Sequence, residues 1–187
     1  SEADQLIDNE EDSLEKAKTR IPEIKSKYNM SYLKLISEKS GEDKLILQIE
    51  GQVNPKGKKP KHYRNLRHLI QWEKPINYRY RNTVWETIGL SKKYIVRINA
   101  LGFPDFSSYA KEIVKINMQG NHSYRRPDGD YGSANEAAGY ARGERHAGYT
   151  WHHHQDRKTM LLIPTEVHDV FKHSGGVWAI QKLGTVK

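Results

Sequence analysis

Five of the nine histidines lie between positions 152 and 173, at His152, His153, His154, His168 and His173. The segment 148–176 reads GYTWHHHQDRKTMLLIPTEVHDVFKHSGG, and its pattern is too ordered for a purification tag. Thr150–His153 fits the end of a strand. Asp156, Arg157 and Lys158 make a polar turn, and Met160–Ile163 supplies a short apolar strand. Pro164 and Thr165 open a helix, since proline is tolerated in a first turn. His168 falls on that helix, and His173 falls at its end or just beyond, where Gly175 and Gly176 are expected to stop it. The segment is therefore read as a hairpin followed by a helix.

Such a unit can gather imidazoles. Consecutive side chains on a strand point to opposite sides, so one histidine can meet a metal while its neighbour faces a water. One histidine from the strand and two from the helix region leave positions on a divalent ion open for substrate. A neutral imidazole is also the natural general base near neutral pH. The chain has no cysteine, which excludes thiolate zinc sites, disulfides and thiol nucleophiles. A resident metal would rest on His, Asp or Glu. Three imidazoles favour Zn²⁺ as the bound ion, with Ni²⁺, Mn²⁺ or Mg²⁺ left open as the ion that supports activity.

Charge points to the class of partner. The 187 residues carry 31 Lys and Arg against 23 Asp and Glu, a formal charge of +8. Seven of those acids (Glu2, Asp4, Asp8, Glu10, Glu11, Asp12 and Glu15) sit in the first fifteen residues, which contain no Lys or Arg. The remainder is thus strongly basic, as expected of a protein that meets a polyanion, either nucleic acid or an acidic protein. No apolar run reaches membrane-spanning length, and the acidic start does not suit a signal peptide.

Three regions are expected. Residues 1–29 read as a charged lead-in, with a short helix over Glu11–Lys18 that ends before Pro22. Residues 30–92 read as a β-rich N-terminal region with no legible role. Strands are expected at Tyr32–Ser37 and Lys44–Glu50, followed by a basic loop over 54–68. That loop is either a solvated surface or a patch that tracks a nucleic-acid backbone. Tyr63, Trp72, Tyr78, Tyr80 and Trp85 read as core rather than base-stacking platforms. Residues 93–187 read as the functional domain, with strands at Tyr94–Asn99 and Glu112–Met118 and a short helix around Ala134–Tyr140.

Trp151-His152-His153, the apolar strand ending in Pro164, His168, and His173-Ser174-Gly175-Gly176 together resemble the HNH/endonuclease VII superfamily. Within it they resemble the bacterial toxin nucleases called after a Trp-His-His signature. The likeness extends upstream to Gly102-Phe103-Pro104-Asp105-Phe106, Asp130, Ala134-Asn135 and Ala138-Gly139, and so covers about the last half of the chain. It implies an α+β fold with a ββα-metal (His-Me finger) core at the C-terminal end, preceded by the β-rich region. By analogy with colicin-type DNases, it makes His152, His168 and His173 the ligands of one divalent ion and His153 the general base.

Three departures stand out. No asparagine occupies the middle of the motif between Gln155 and Pro164. The last two histidines are five residues apart rather than four, which places His173 at the helix end. The third consecutive histidine leaves a shifted register open, with His153 as ligand and His154 as base.

Other residues are assigned by position. Arg142, Arg145, Arg157 and His154 flank the centre as candidate phosphate contacts, against a plainer reading as solvated side chains. Asp156 either orients an imidazole or caps the turn. Glu144 is a candidate to hold an arginine, and Asp130 and Asn135 read as structural hydrogen-bonders. Trp151 reads as a buried anchor. His62, His68, His122 and His146 lack a patterned context and read as surface residues.

The resulting expectation is a metal-dependent endonuclease, a non-specific DNase, since nothing resembles a base-reading helix. The resemblance adds the setting: the C-terminal domain of a secreted or contact-delivered toxin that acts in the target-cell cytoplasm and is countered by an acidic immunity protein. The end of the chain fourteen residues after His173 suits such a terminal domain. A zinc-stabilised nucleic-acid-binding module, an RNase on the same fold and a plain interaction protein with incidental histidines are the alternatives.

Overall fold

The computed structural model describes residues 32–37, 66–70 and 72–186. The expected helix over Glu11–Lys18, the strand over Lys44–Glu50, most of the basic loop, Tyr63 and His62 lie outside the described residues. The described part is a mixed α/β fold with two antiparallel sheets and few helices. The first sheet has the order β1 (Leu33–Ser37), β2 (Thr83–Thr87), β3 (Ile95–Ile98) and β4 (Pro104–Asp105). In the second, β7 (Thr159–Pro164) lies between β5 (Glu112–Lys115) and β6 (Tyr149–His153). Four α-helices accompany them among the described residues: α1 (Leu66–Leu69), α2 (Asp130–Ala137), α3 (Thr165–Val170) and α4 (Gly176–Leu183).

The two sheets differ in how their strands bury side chains. In β3, Val96 and Ile98 are buried while Ile95 and Arg97 are exposed, the alternation of a sheet with one wet face. Every residue of β7 is buried, because both of its faces are covered. Leu161 and Ile163 join a cluster with Trp85, Tyr94, Val96, Ile98 and Phe106 and with Val167, Val170 and Phe171 of the α3 region. Met160 and Leu162 point the other way, into a cluster with Trp151, Met118 and Ala134. The central strand thus joins the first sheet to α2. The sequence division near residue 92 falls in the connection between β2 and β3, which are hydrogen-bonded neighbours. The first cluster also draws residues from both sides of it. Tyr80 and Trp85 are buried as expected, whereas Trp72 is exposed.

β6, β7 and α3 follow one another without interruption, with Pro164 immediately before the helix. The glycine pair behaves differently from the sequence expectation. α3 ends at Val170, and Gly175 and Gly176 open α4 instead of stopping α3. The reason is close packing. A Cβ on Gly175 would stand 2.7 Å from the carbonyl oxygen of His153, and one on Gly176 would come closer still to that of His154. Only residues without a side chain let this helix start lie against the backbone that carries the histidines.

Candidate metal centre and cleft

Three imidazoles converge where β6 passes α3. His152 comes from the strand, His168 from α3, and His173 from the chain between α3 and α4. One nitrogen of each lies within 4.8 Å of the others, and His152 Nδ1 and His173 Nε2 are 3.2 Å apart. The phenyl ring of Phe106 stands behind them, with its centroid 5.1 Å from His152, 5.3 Å from His173 and 6.1 Å from His168. The Gly-Phe-Pro-Asp-Phe stretch therefore supplies the apolar backing of the cluster. Gly102 turns with φ +90°, and the Asp105 carboxylate accepts the Ser107 N–H at 2.9 Å, fixing the turn around Phe106.

These rings are held in the form that a metal requires. His173 Nδ1–H donates to the Phe171 carbonyl at 2.7 Å, which leaves Nε2 with the lone pair. His168 Nδ1 lies 3.4 Å from the Asp169 carboxylate, leaving its Nε2 free. Burial, reinforced by His168, pushes the His173 pKa down to about 3, although the bond to Phe171 opposes it. Burial and then the neighbouring His173 and His168 push His152 well below the ordinary histidine value. Burial lowers His168 too, against the pull of Asp169. Neutral imidazoles can donate lone pairs to a cation, so protonation does not compete at neutral pH. Tetrahedral ligands ~2.0–2.1 Å from an ion stand about 3.4 Å apart, close to the His152–His173 spacing. The donor set fits a divalent ion.

His153 is built differently. It is 5 % exposed, and its Nε2 lies 2.9 Å from Asp130 Oδ2 and 3.0 Å from the Asn121 carbonyl oxygen. Two acceptors at one nitrogen place the proton on Nε2 and leave the lone pair on Nδ1. Asp130 is itself pinned, accepting N–H bonds from Gln119 at 2.8 Å, Gly120 at 2.7 Å and Asn121 at 3.1 Å. Burial raises its pKa, but the bonds from His153 and these amides outweigh burial and hold it below the usual carboxylate range. Asp130, read as structural from sequence, thus orients His153 directly.

His152, His153, His168 and His173 line one cleft of about 350 Å³. The other assigned residues lie elsewhere. His154 is buried in the turn, where its Nδ1 accepts the Asp156 N–H at 3.1 Å. It stands outside the three-imidazole cluster, which takes its strand histidine from position 152. The Asp156 carboxylate accepts the Lys158 and Thr159 N–H groups at 3.0 and 2.8 Å, bracing the loop that lacks the motif's asparagine. Arg157 has φ +64° and donates to the Gly184 carbonyl at 2.9 Å at the end of α4. Arg142 donates to the Pro127 carbonyl at 3.0 Å and pairs with Glu136 at 3.3 Å. Arg145 lies over the Tyr124 ring at 3.7 Å. No arginine lines the cleft among the described residues. Glu144 is exposed, and its carbonyl, rather than its carboxylate, receives a bond from Asn135 at 2.9 Å. Asn135 is fully buried, holds the Arg142 carbonyl as well, and accepts Trp151 Nε1–H at 3.0 Å.

Of the histidines read as surface residues, His146 is partly buried and His122 is exposed. His146 is half-buried against Tyr140 and bonds Asn135 at 2.8 Å. His122 is exposed, as expected, but it lines the cleft, its ring centroid 5.1 Å from that of His153. Phe106, Asn121, His122, Tyr131 and Lys172 are the site residues that sequence reasoning missed. Only Phe106 carried a signal, through its place in the upstream motif.

Residues 141–182 match a family described as a nuclease of the HNH/ENDO VII superfamily with conserved WHH. That segment contains Trp151-His152-His153, His168 and His173, and ends before the close of α4. No curated protein matches the chain.

Proposed function

We propose that this chain is a metal-dependent endonuclease that cuts DNA without sequence preference. One observation carries the reading: three neutral imidazoles gather within 4.8 Å of one another at the cleft where carboxylate-held His153 presents its free nitrogen. The family match of the same segment supports a nuclease. On this reading β6, β7 and α3 form a ββα-metal core. His152, His168 and His173 would hold the ion, with Zn²⁺ or Ni²⁺ bound more tightly than Mn²⁺ or Mg²⁺. A divalent ion there supplies Lewis-acid stabilisation for the charge that builds on the scissile phosphate and the leaving oxygen.

His153 handles the proton. With Nε2–H donated to Asp130 and Asn121, Nδ1 takes a proton from water as the water oxygen bonds to phosphorus and the phosphorus–oxygen ester bond breaks. The Asp130 carboxylate keeps the tautomer and stabilises the imidazolium that results. Phe106 and the buried strand restrict the ligand rings to one geometry.

The excess of 31 basic over 23 acidic residues favours a polyanionic substrate. The toxin setting, action in a target-cell cytoplasm and an acidic immunity protein rest on the resemblance of the histidine motif and on this charge. Plasmid DNA and RNA offered to the purified chain with Zn²⁺, Ni²⁺, Mn²⁺, Mg²⁺ or chelator test the proposal. DNA cleavage is expected with ion and not with chelator. The His153→Ala variant is expected to keep the ion and lose activity by about 100-fold or more. Metal binding without cleavage of either substrate would leave a zinc-stabilised binding module, and cleavage of RNA alone an RNase.

A further inference from the structure

A cleft that hydrolyses a phosphodiester must also hold it, and the arginines near this one are engaged elsewhere. Arg142 braces the 126–129 loop, Arg145 covers Tyr124 and Arg157 ties down the end of α4. Two other residues face the cleft with unused donors. His122 contacts the His153 and Tyr131 rings edge-on, at 5.1 and 5.5 Å between centroids. Among the described residues neither of its nitrogens has a hydrogen-bond partner. An exposed imidazole at the cleft, engaged by no protein partner among the described residues, has its N–H available to a bound ligand. Lys172 is the only Lys or Arg lining the cleft among the described residues. Its backbone is fixed, because its carbonyl accepts Asn77 Nδ2–H at 2.8 Å. Its ammonium makes no ion pair among the described residues.

The two sit at different parts of one cleft. His122 adjoins His153, and Lys172 adjoins His173. An in-line displacement places the attacking water on one side of the phosphate and the leaving oxygen on the other, so contacts are needed beside both the base and the metal ligands. We propose that His122 and Lys172 grip the phosphodiester of the nucleic-acid substrate, His122 by an N–H bond to a phosphate oxygen and Lys172 by its charge. The inference rests on the nuclease reading for its substrate class. It assigns the grip to two residues outside the Trp-His-His motif.

Binding of a short fluorescein-labelled DNA duplex, measured by anisotropy in EDTA, tests the grip separately from cleavage. His122→Ala and Lys172→Ala should each weaken binding by about 3- to 10-fold, with thermal stability and Zn²⁺ affinity unchanged. His122→Gln, which keeps a donor, and Lys172→Arg, which keeps the charge, should restore most of the loss. Lys172→Ala should also lower the slope of log affinity against log salt by about 0.9. Lys93→Ala, at a lysine outside the cleft lining and paired with Glu86 at 2.7 Å, should leave binding unchanged. Unchanged duplex affinity in the double variant His122→Ala/Lys172→Ala would overturn the inference, as would a loss that tracks a fall in thermal stability and is not restored by His122→Gln. If the wild-type chain binds through these residues but cuts nothing with any ion, the nuclease reading fails and the grip stands. Cleavage by the wild type with no effect of either substitution gives the reverse.

Discussion

His152 and His153 are neighbours on one strand, yet they live in opposite electrostatic settings. Around His152 the surroundings are two further imidazoles and the Phe106 ring, with no carboxylate in contact among the described residues. Around His153 they are a buried aspartate and a carbonyl oxygen. The first setting strips protons from the rings and suits them to a cation. The second fixes one proton on Nε2 and leaves the lone pair on Nδ1. Strand alternation separates the two chemistries by a single residue, and different partners then tune each side.

The sharpest way to break this comparison is to neutralise one side. Asp130→Asn should lower the cleavage rate by about 100-fold or more, because the amide NH₂ opposes the Nε2–H tautomer of His153. Zinc affinity by calorimetry should change by no more than about threefold if the two settings are independent. An equal loss of zinc affinity would show that they are one unit.

The imidazole side can be probed by pH without metal. The folded-state pKa of His173 is depressed to about 3, below the ordinary value near 6.5 of the unfolded chain. The unfolded chain therefore binds more protons between those values, and stability falls as pH drops below about 6.5. Between pH 6.5 and 5 the loss should reach about 2 kcal/mol in chemical denaturation of the metal-free protein, and His173→Gln should flatten the slope. A stability that stays level over that window would contradict neutral, buried ligands.

A smaller effect concerns the support shared by both sides. Glu166, in the first turn of α3, accepts Tyr94 O–H at 2.7 Å and the Ser91 N–H at 3.2 Å, tying the His168 helix to the first sheet. Glu166→Ala should cost about 1 kcal/mol, seen as a melting temperature lower by about 2–4 °C. It should weaken zinc binding more than it slows proton transfer by His153. A variant that melts unchanged would show the tie to be idle.

The hairpin and the helix that carry the histidines were legible locally, because Met160–Ile163 is too short and apolar to be anything but a buried strand or core segment, and Pro164 marks the helix start. Gly175 and Gly176 were misread because a glycine pair can stop a helix or permit a close approach, and only the distance to the His153 carbonyl separates those roles. Arg157 and Arg142 carried charge, the same signal as a phosphate contact, but the carbonyls that occupy them are 27 and 15 residues away in sequence. His122 had no pattern at all. Its meaning comes from His153, 31 positions further on.

The sequence by itself determined which chemistry is available: imidazoles in place of thiolates, a basic chain, and consecutive histidines placed by strand alternation on two sides. Tertiary structure alone decided which rings meet and which acceptor each receives. Local periodicity sets the direction of a side chain, but Asp130, Asn121, Phe106 and His122 meet the histidines only when α2, the preceding loops and both sheets close around β7.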